Sequence, residues 1–327
     1  MVREVSVRVY YGGATEEELY GCPDLPQLLS AFHKISSVSL RSLPGSSMSL
    51  ISCIPEPTVV TDVCLDISDV TVDSVLSSLM AFPAMESLEL RGVSSWSSEG
   101  LGGAGRSTTR FAALRRFDMD SDILNDPDLL EHIMPQETFA NVECLILEDA
   151  EVSSQEHVWC LDQLFRKWDT TLKDLQLRKS PEKFGYGASI TLPAALESLS
   201  FDLSLHGYRD ASSRDGISFF ARALENHCRA GRTLKSLNVR VDIDDAENAL
   251  PRGRMVRRFD EIVSAPELGV QHLEWRMHSS RMGDVNRTYG RSGYWVNRNV
   301  FPDINKYFLT EEGNRVFGTT AHVLVLS

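Results

Sequence analysis

Apolar residues recur along the chain at positions i, i+3 and i+5, with polar residues filling the gaps. The stretch Ala84–Val93, A-M-E-S-L-E-L-R-G-V, carries the unit as Met85-Leu88-Leu90. The same spacing occurs at Val2-Val5-Val7, Ile35-Val38-Leu40, Val60-Val63-Leu65, Leu114-Phe117-Met119 and Val142-Leu145-Leu147. It continues at Leu172-Leu175-Leu177, Leu196-Leu199-Phe201, Leu234-Leu237-Val239 and Val270-Leu273-Trp275. The last six residues, H-V-L-V-L-S from His322, read as one more strand with Val323 and Val325 inward. Successive first positions lie 33, 25, 25, 29, 28, 30, 24, 38 and 36 residues apart. A period of roughly 20–29 residues is the mark of a leucine-rich array, and the longer steps call for insertions.

The second half of each triplet alternates in and out, which is strand periodicity. Between triplets the spacing turns helical. Leu25, Leu28, Leu29 and Phe32 make one face, and so do Val75, Leu76, Leu79 and Met80. Leu161, Leu164, Phe165 and Trp168 make a third, and Phe219, Phe220, Ala223 and Leu224 a fourth. A strand followed by a helix, many times over, predicts parallel neighbouring strands. The intervening strand positions are polar: Ser87, Glu89, Arg91; Arg116, Asp118, Asp120; Asp174, Gln176, Arg178; Ser198, Ser200, Asp202; Ser236, Asn238, Arg240; His272, Glu274, Arg276. One side of the sheet is therefore expected to face water and the other to carry the helices. A doubly wound sheet, covered on both sides, would read as near-continuous apolar runs. An open α/β enzyme fold with a site at the strand C-termini is the alternative.

The repeated M/L-x-x-L-x-L units resemble the leucine-rich-repeat family, and within it the irregular, ribonuclease-inhibitor-like proteins. That resemblance implies one α/β solenoid over residues 1–327, a horseshoe with parallel strands on the concave face and helices on the convex face. The family motif continues to an Asn or Cys three residues past the last leucine position. Here that place holds Leu43, Ser68, Val93, Asp122, Ala150, Ser180 and Ser204, so the turns must be held in another way. Phrases such as LPAALESLSF and TLKSLNV are similar to the C-terminal repeat regions of fungal F-box proteins. The resemblance implies substrate recognition in a ubiquitin ligase, with contact to the cullin-ligase adaptor through an F-box upstream of Met1. The stretch D24-LPQLLSAF-H33 is similar to an F-box opening but stands where a repeat helix belongs.

A 42% apolar fraction in 327 residues supports a sizeable core, and 24% charged residues argues against disorder. A formal charge of −13 disfavours nucleic acid and anionic lipid as partners. Neither a signal-peptide pattern nor a run of about 18 apolar residues occurs. Six cysteines at wide, irregular spacing suit free thiols in the cytoplasm or nucleus, and the Asn286 sequon is then a chance match.

The first strand is expected at Val2 with no lid before it, so a stacked-repeat edge would need a partner, an excerpted neighbour or the Tyr10–Cys22 segment to close it. Loops are expected at Gly92–Arg110, Ser180–Ile190 and Ser204–Ile217. Residues 277–319 are expected to be a C-terminal insertion or cap, whose aromatics with Arg and Asn offer Tyr294 and Trp295 as possible contacts.

No reaction is legible. Gly100, Gly102 and Gly105 match a dinucleotide fingerprint only formally, because a Ser-rich stretch separates them from the preceding strand. Arg106 stands where a phosphate-binding loop needs Lys. The eight histidines lack metal-ligand spacing, His272 beside Glu274 reads as a solvated pair, and Asp242, Asp244, Asp245 and Glu247 as a solvated cluster. No enzyme activity, cofactor or metal is expected.

The polar side of the strands is the candidate binding surface. Arg8, Arg41, Arg91, Arg178, Arg240 and Arg276 follow the last leucine-type position, with Asp66, Asp120, Glu148 and Asp202 at the same place in other copies. Together with Glu89, Arg116, Asp118 and Glu274 they form laddered rows of mixed sign. Such rows pair across strands, or dock a protein through bidentate Arg–carboxylate contacts. Asp62, Asp66, Asp118, Asp120 and Glu148 would select basic residues on that protein.

Overall fold

A computed structural model describes residues 3–8, 24–68, 70, 72–91, 111–120, 139–148, 155–178, 189–205, 211–243 and 254–278. Ten strands and five α-helices lie among these residues. In chain order they are β1 (Glu4–Arg8), α1 (Asp24–Ser30), β2 (Ser37–Pro44), β3 (Asp62–Ser68), α2 (Val72–Leu79), β4 (Ser87–Arg91), β5 (Arg116–Asp120) and β6 (Cys144–Glu148). Then come α3 (Gln155–Lys167), β7 (Asp174–Arg178), β8 (Ser198–Leu205), α4 (Ala211–Arg229), β9 (Ser236–Ile243), α5 (Arg254–Val263) and β10 (His272–His278). The 3-10 turns Gly45–Cys53 and Pro57–Val59 separate β2 from β3, and Pro266–Leu268 precedes β10. Two compact units divide the chain, Met1–Leu145 and Ile146–Ser327.

Each of the ten L-x-L pairs falls in a strand. In the first unit β1 pairs with β2, β2 with β3, β3 with β4 and β4 with β5. In the second β7 pairs with β8, β8 with β9 and β9 with β10. Every one of these pairings is parallel, so the α/β class and strand direction are those the pattern predicts.

The turns that enter the strands are held by a recurrent backbone contact. In the first unit Arg3 O accepts the N–H groups of Ser36 and Ser37, and Ser36 O those of Thr61 and Asp62. Thr61 O, Glu86 O and Arg115 O likewise each accept two successive N–H groups, from Glu86 and Ser87, Arg115 and Arg116, and Glu143 and Cys144. The second unit repeats it at Lys173, Glu197 and Lys235. Each acceptor sits one residue past the first apolar position of its triplet. Sharing one carbonyl between two donors satisfies backbone groups at the place where a strand begins.

The first apolar position of each triplet from Ile35 to Val270 is buried, as are the inward strand residues Leu88, Leu90, Phe117, Leu175 and Leu199. In the second unit α3 buries Leu161, Leu164 and Phe165, with Trp168 buried just past its end, and α4 buries Phe219, Phe220, Ala223 and Leu224. Both faces are as expected. Glu156 in the first turn of α3 and Arg166 with Lys167 in its last complement the helix dipole. Phe201 of β8 stacks on Phe220 of α4 at 3.8 Å and meets Phe259 of α5 edge-on at 6.2 Å. Glu225 ties the same two helices, pairing with Arg229 at 2.6 Å within α4 and with Arg258 of α5.

Several expectations need correction. Leu28 is 53% and Met80 55% exposed, because α1 and α2 are two turns or so long and bury chiefly Leu29, Val75 and Leu79. The loop expected at Ser204–Ile217 is shorter: Ser204 and Leu205 extend β8, and α4 starts at Ala211. Met277 and His278 belong to β10 and not to an insertion; the rest of 277–319 and the strand expected at 322–327 lie outside the described residues. So do 92–110, 179–188 and 10–22. Asp242 lies within β9, ahead of the place expected for its acidic cluster, and the remainder of that cluster is outside the described residues. On β6 the centre is dry on both sides, with Leu145, Ile146 and Leu147 all buried.

Gly269 and Gly231 both hold positive φ, 72° and 70°, but differ in their surroundings. A Cβ on Gly269 would stand 2.8 Å from Thr233 Cβ, whereas one on Gly231 meets nothing within 4 Å. Left-handed backbone costs an L-residue about 1–2 kcal/mol. Gly231→Ala is expected to lose about 1 kcal/mol and Gly269→Ala clearly more, by urea unfolding. Equal losses would show that the Thr233 contact relaxes freely.

His227 of α4 is 2% exposed, and the Thr233 backbone approaches its ring at a geometry short of a full hydrogen bond. Burial holds its pKa below the ordinary value; the Arg232 guanidinium adds to this and the Thr233 backbone works against it. The unfolded chain then takes up a proton near pH 6.5 that the folded chain resists. Stability is full above about pH 6.5 and falls as pH drops from there through the lowered folded value. His227→Leu should flatten the melting-temperature profile between pH 7.5 and 5.5; an unaltered slope would refute this.

Candidate functional site

In the first unit three polar rows run across the sheet in register. Glu4, Ser37, Asp62, Ser87 and Arg116 form the first, and Ser6, Ser39, Cys64, Glu89 and Asp118 the second. Arg8, Arg41, Asp66 and Arg91 form the third. Side chains on this side point away from the apolar core because strand side chains alternate.

The charges of these rows are largely joined to one another. Arg91 is 18% exposed and serves three carboxylates: Nε donates to Glu89 Oε1 at 3.0 Å, Nη2 to Asp118 Oδ1 at 2.9 Å and Nη1 to Asp120 Oδ1 at 2.8 Å. Arg41 bypasses Asp66, its neighbour in register, and reaches over β3 to Glu89 of β4, with Nη2 3.1 and 3.3 Å from the two carboxylate oxygens. Its Nε donates to Ser39 Oγ at 3.2 Å. Cys64, between Ser39 and Glu89, is short enough to be crossed. Asp66 accepts from Ser42 Oγ at 3.3 Å.

Long guanidinium and carboxylate arms beside short side chains explain why Ser39, Cys64 and Asp118 of the middle row are dry while Ser6 at its end is exposed. Burial, with the Glu89 charge behind it, pushes the Cys64 thiol up to about 11, so it is neutral and no nucleophile at physiological pH. Asp118 was expected to offer its charge to a partner. It lies instead beneath Arg91, and of the predicted acidic patch Asp62 is the exposed member. Arg116 is exposed at the end of the first row.

Next to this network the polar side of β1–β4 forms an open concavity of about 620 Å³. Its floor is short hydroxyl and thiol side chains, and Glu4, Asp62, Glu89 and Arg41 are the ionisable groups other than Cys64 around it.

The second unit has its own smaller pairings. Arg178 of β7 donates from Nη1 to Glu148 Oε1 of β6 at 3.0 Å and from Nη2 to Gln176 Oε1 at 2.9 Å. Asn238 Nδ2 of β9 donates to Glu274 Oε2 of β10 at 2.8 Å. Asp202, half-buried, stands in register with exposed Arg240, whose other neighbour in register is Arg276. His272 is exposed at the start of β10. Tyr294 and Trp295 lie outside the described residues.

Among the described residues no three His, Cys, Asp or Glu side chains are grouped to hold a metal ion. No helix there is long and apolar enough to cross a membrane. The concavity and the pairings within the network could not have been read from the sequence, although the mixed-sign rows that build them could. No protein-family model and no curated protein matches the chain.

Proposed function

We propose that the chain is a protein-docking leucine-rich-repeat solenoid, a horseshoe whose polar strand face is its concave, partner-binding surface, and that it recruits substrates to an F-box-type ubiquitin ligase. The observation that carries the docking reading is the recurrence of one geometry. Eight of the ten strands begin where one carbonyl is shared by two N–H groups, and β2 to β10, all but β6, bury apolar residues on one side and carry polar ones on the other. Stacking such units buries a core between neighbours and leaves an extended polar surface to a partner. The ligase role rests on the sequence resemblance. A scaffold with no link to ubiquitin is favoured by one feature: α1, over the stretch similar to an F-box opening, stands between β1 and β2 and buries Leu29 as a repeat helix would.

Affinity capture of the full chain from its own cells, read by mass spectrometry, separates these readings. Adaptor and cullin among the captured proteins support the ligase role. A partner captured without them, and weakened at least tenfold by Arg240→Glu, supports the scaffold. Capture indifferent to charge reversal at Arg240 and at Arg116 contradicts docking on this face.

A further inference from the structure

We propose that the concavity on the polar side of β1–β4 receives a lysine side chain carried by a protein partner. The proposal rests on the reading of this side as a docking surface and names what the surface recognises. The site is built from two neighbouring rows in register. Ser6, Ser39 and Cys64 form a floor of short side chains, and Glu4 and Asp62 flank Ser37 one row away. At about 620 Å³ it is within the range of small-ligand pockets, about 300–1,000 Å³. It is open, with Glu4 and Asp62 exposed at the rim, as entry by a side chain on a larger body requires.

Charge selects the occupant. Glu4, Asp62 and Glu89 set three carboxylates against the single guanidinium of Arg41, a surplus of two negative charges in the lining. Arg41 is already joined to Glu89. The unmatched charges are those of Glu4 and Asp62, two strands apart, or about 10 Å at a strand spacing of about 4.8 Å. A cation above Ser37 lies between them, within reach of both arms. One oxygen of Asp62 accepts from Thr61 Oγ1 at 2.7 Å, which orients the carboxylate and leaves the other oxygen for the ligand. An ammonium has three donors, and this place presents three acceptors: two carboxylates and the Ser37 hydroxyl. The planar fork of an arginine fits two oxygens of one carboxylate better than acceptors spread across three strands. An anion would face the acidic surplus. An apolar side chain would strip water from Ser6 and Ser37 and return no hydrogen bond.

The test uses the full chain, labelled with ¹⁵N, and Nα-acetyl-lysine methylamide as the probe at 50 mM salt. Amide shifts are expected to saturate and to be confined to residues 4–6, 36–39 and 62–64. They should be absent with the norleucine and glutamate analogues, and at least fivefold weaker in affinity in the Glu4→Gln/Asp62→Asn chain. Both residues are exposed, so that chain should keep its melting temperature. Should it not, the probe's affinity for the unaltered chain must still fall severalfold between 50 and 300 mM salt. Absence of saturation, equal binding of norleucine, or salt-independent binding overturns the proposal. Spermidine seated on the same residues where the lysine amide is not would assign the site to a small polyamine and overturn it too. The titration needs no cellular partner, so its result is independent of whether capture returns adaptor and cullin.

Discussion

Phe201→Ala is expected to destabilise the protein by about 4 kcal/mol, the largest loss of any single substitution considered. The ring is fully buried on β8, stacked on Phe220 of α4 with 9° between planes and met edge-on by Phe259 of α5. Truncation removes the transfer energy of the ring and leaves a cavity among three elements that cannot all collapse into it, and losses of about 3–5 kcal/mol are usual for such changes. Phe201→Leu keeps most of the volume and should lose less than half as much. Leu28→Ala, at a half-exposed position, should change stability by about 0.5 kcal/mol or less. The measurement is urea unfolding followed separately by tryptophan fluorescence and circular dichroism, since two compact units need not unfold together. A loss near 1 kcal/mol for Phe201→Ala would mean that α4 and α5 do not pack on β8 as described.

Arg91→Leu carries the second largest expected loss, about 3 kcal/mol. The guanidinium joins Glu89, Asp118 and Asp120, and the Asp118 side chain is only 8% exposed. Removing the cation takes the guanidinium from a poorly hydrated carboxylate, a change that typically costs about 3–5 kcal/mol when burial is complete. Arg91 itself is 18% exposed, which places the expectation at the low end. Arg91→Lys keeps the charge but lacks the fork and should lose about half as much. The double change Arg91→Leu/Asp118→Leu should recover more than half of the loss, because the most buried of the three carboxylates is then gone as well. A loss under 0.5 kcal/mol for Arg91→Leu would class the network with ordinary surface pairs.

These two residues also mark where sequence reasoning reaches its limit. Phe201 belongs to a triplet, and its burial follows from alternation alone, because a strand that faces water on one side must bury the other. The mixed-sign rows follow from the same alternation. Which carboxylate meets which arginine does not. Arg41 passes Asp66 and reaches Glu89 because Cys64 between them is short, and that depends on register and side-chain length in three strands at once. For the same reason the dryness of Asp118 is invisible in a stretch, R-F-D-M-D, that reads as wet. Helix α5 is missing from the pattern reading although Met255, Val256, Phe259, Ile262 and Val263 keep helical spacing between charged residues, and Phe259 and Val263 are buried. The long 3-10 turn Gly45–Cys53 has no strong periodicity to announce it. The shared carbonyls at the strand entries are backbone groups and leave no residue signature.

The account depends on parallel strands with apolar residues beneath and polar ones above, and disulfide trapping in β8 and β9 tests it most directly. Parallel register sets Ser198 opposite Ser236 and Asp202 opposite Arg240. Ser198→Cys with Ser236→Cys should therefore oxidise to a disulfide, found by peptide mapping against the native thiols. Ser198→Cys with Arg240→Cys should not, because four residues along a strand set the two about 13 Å apart. Bridging of 198 to 240 in preference to 236 would mean antiparallel strands and contradict the account.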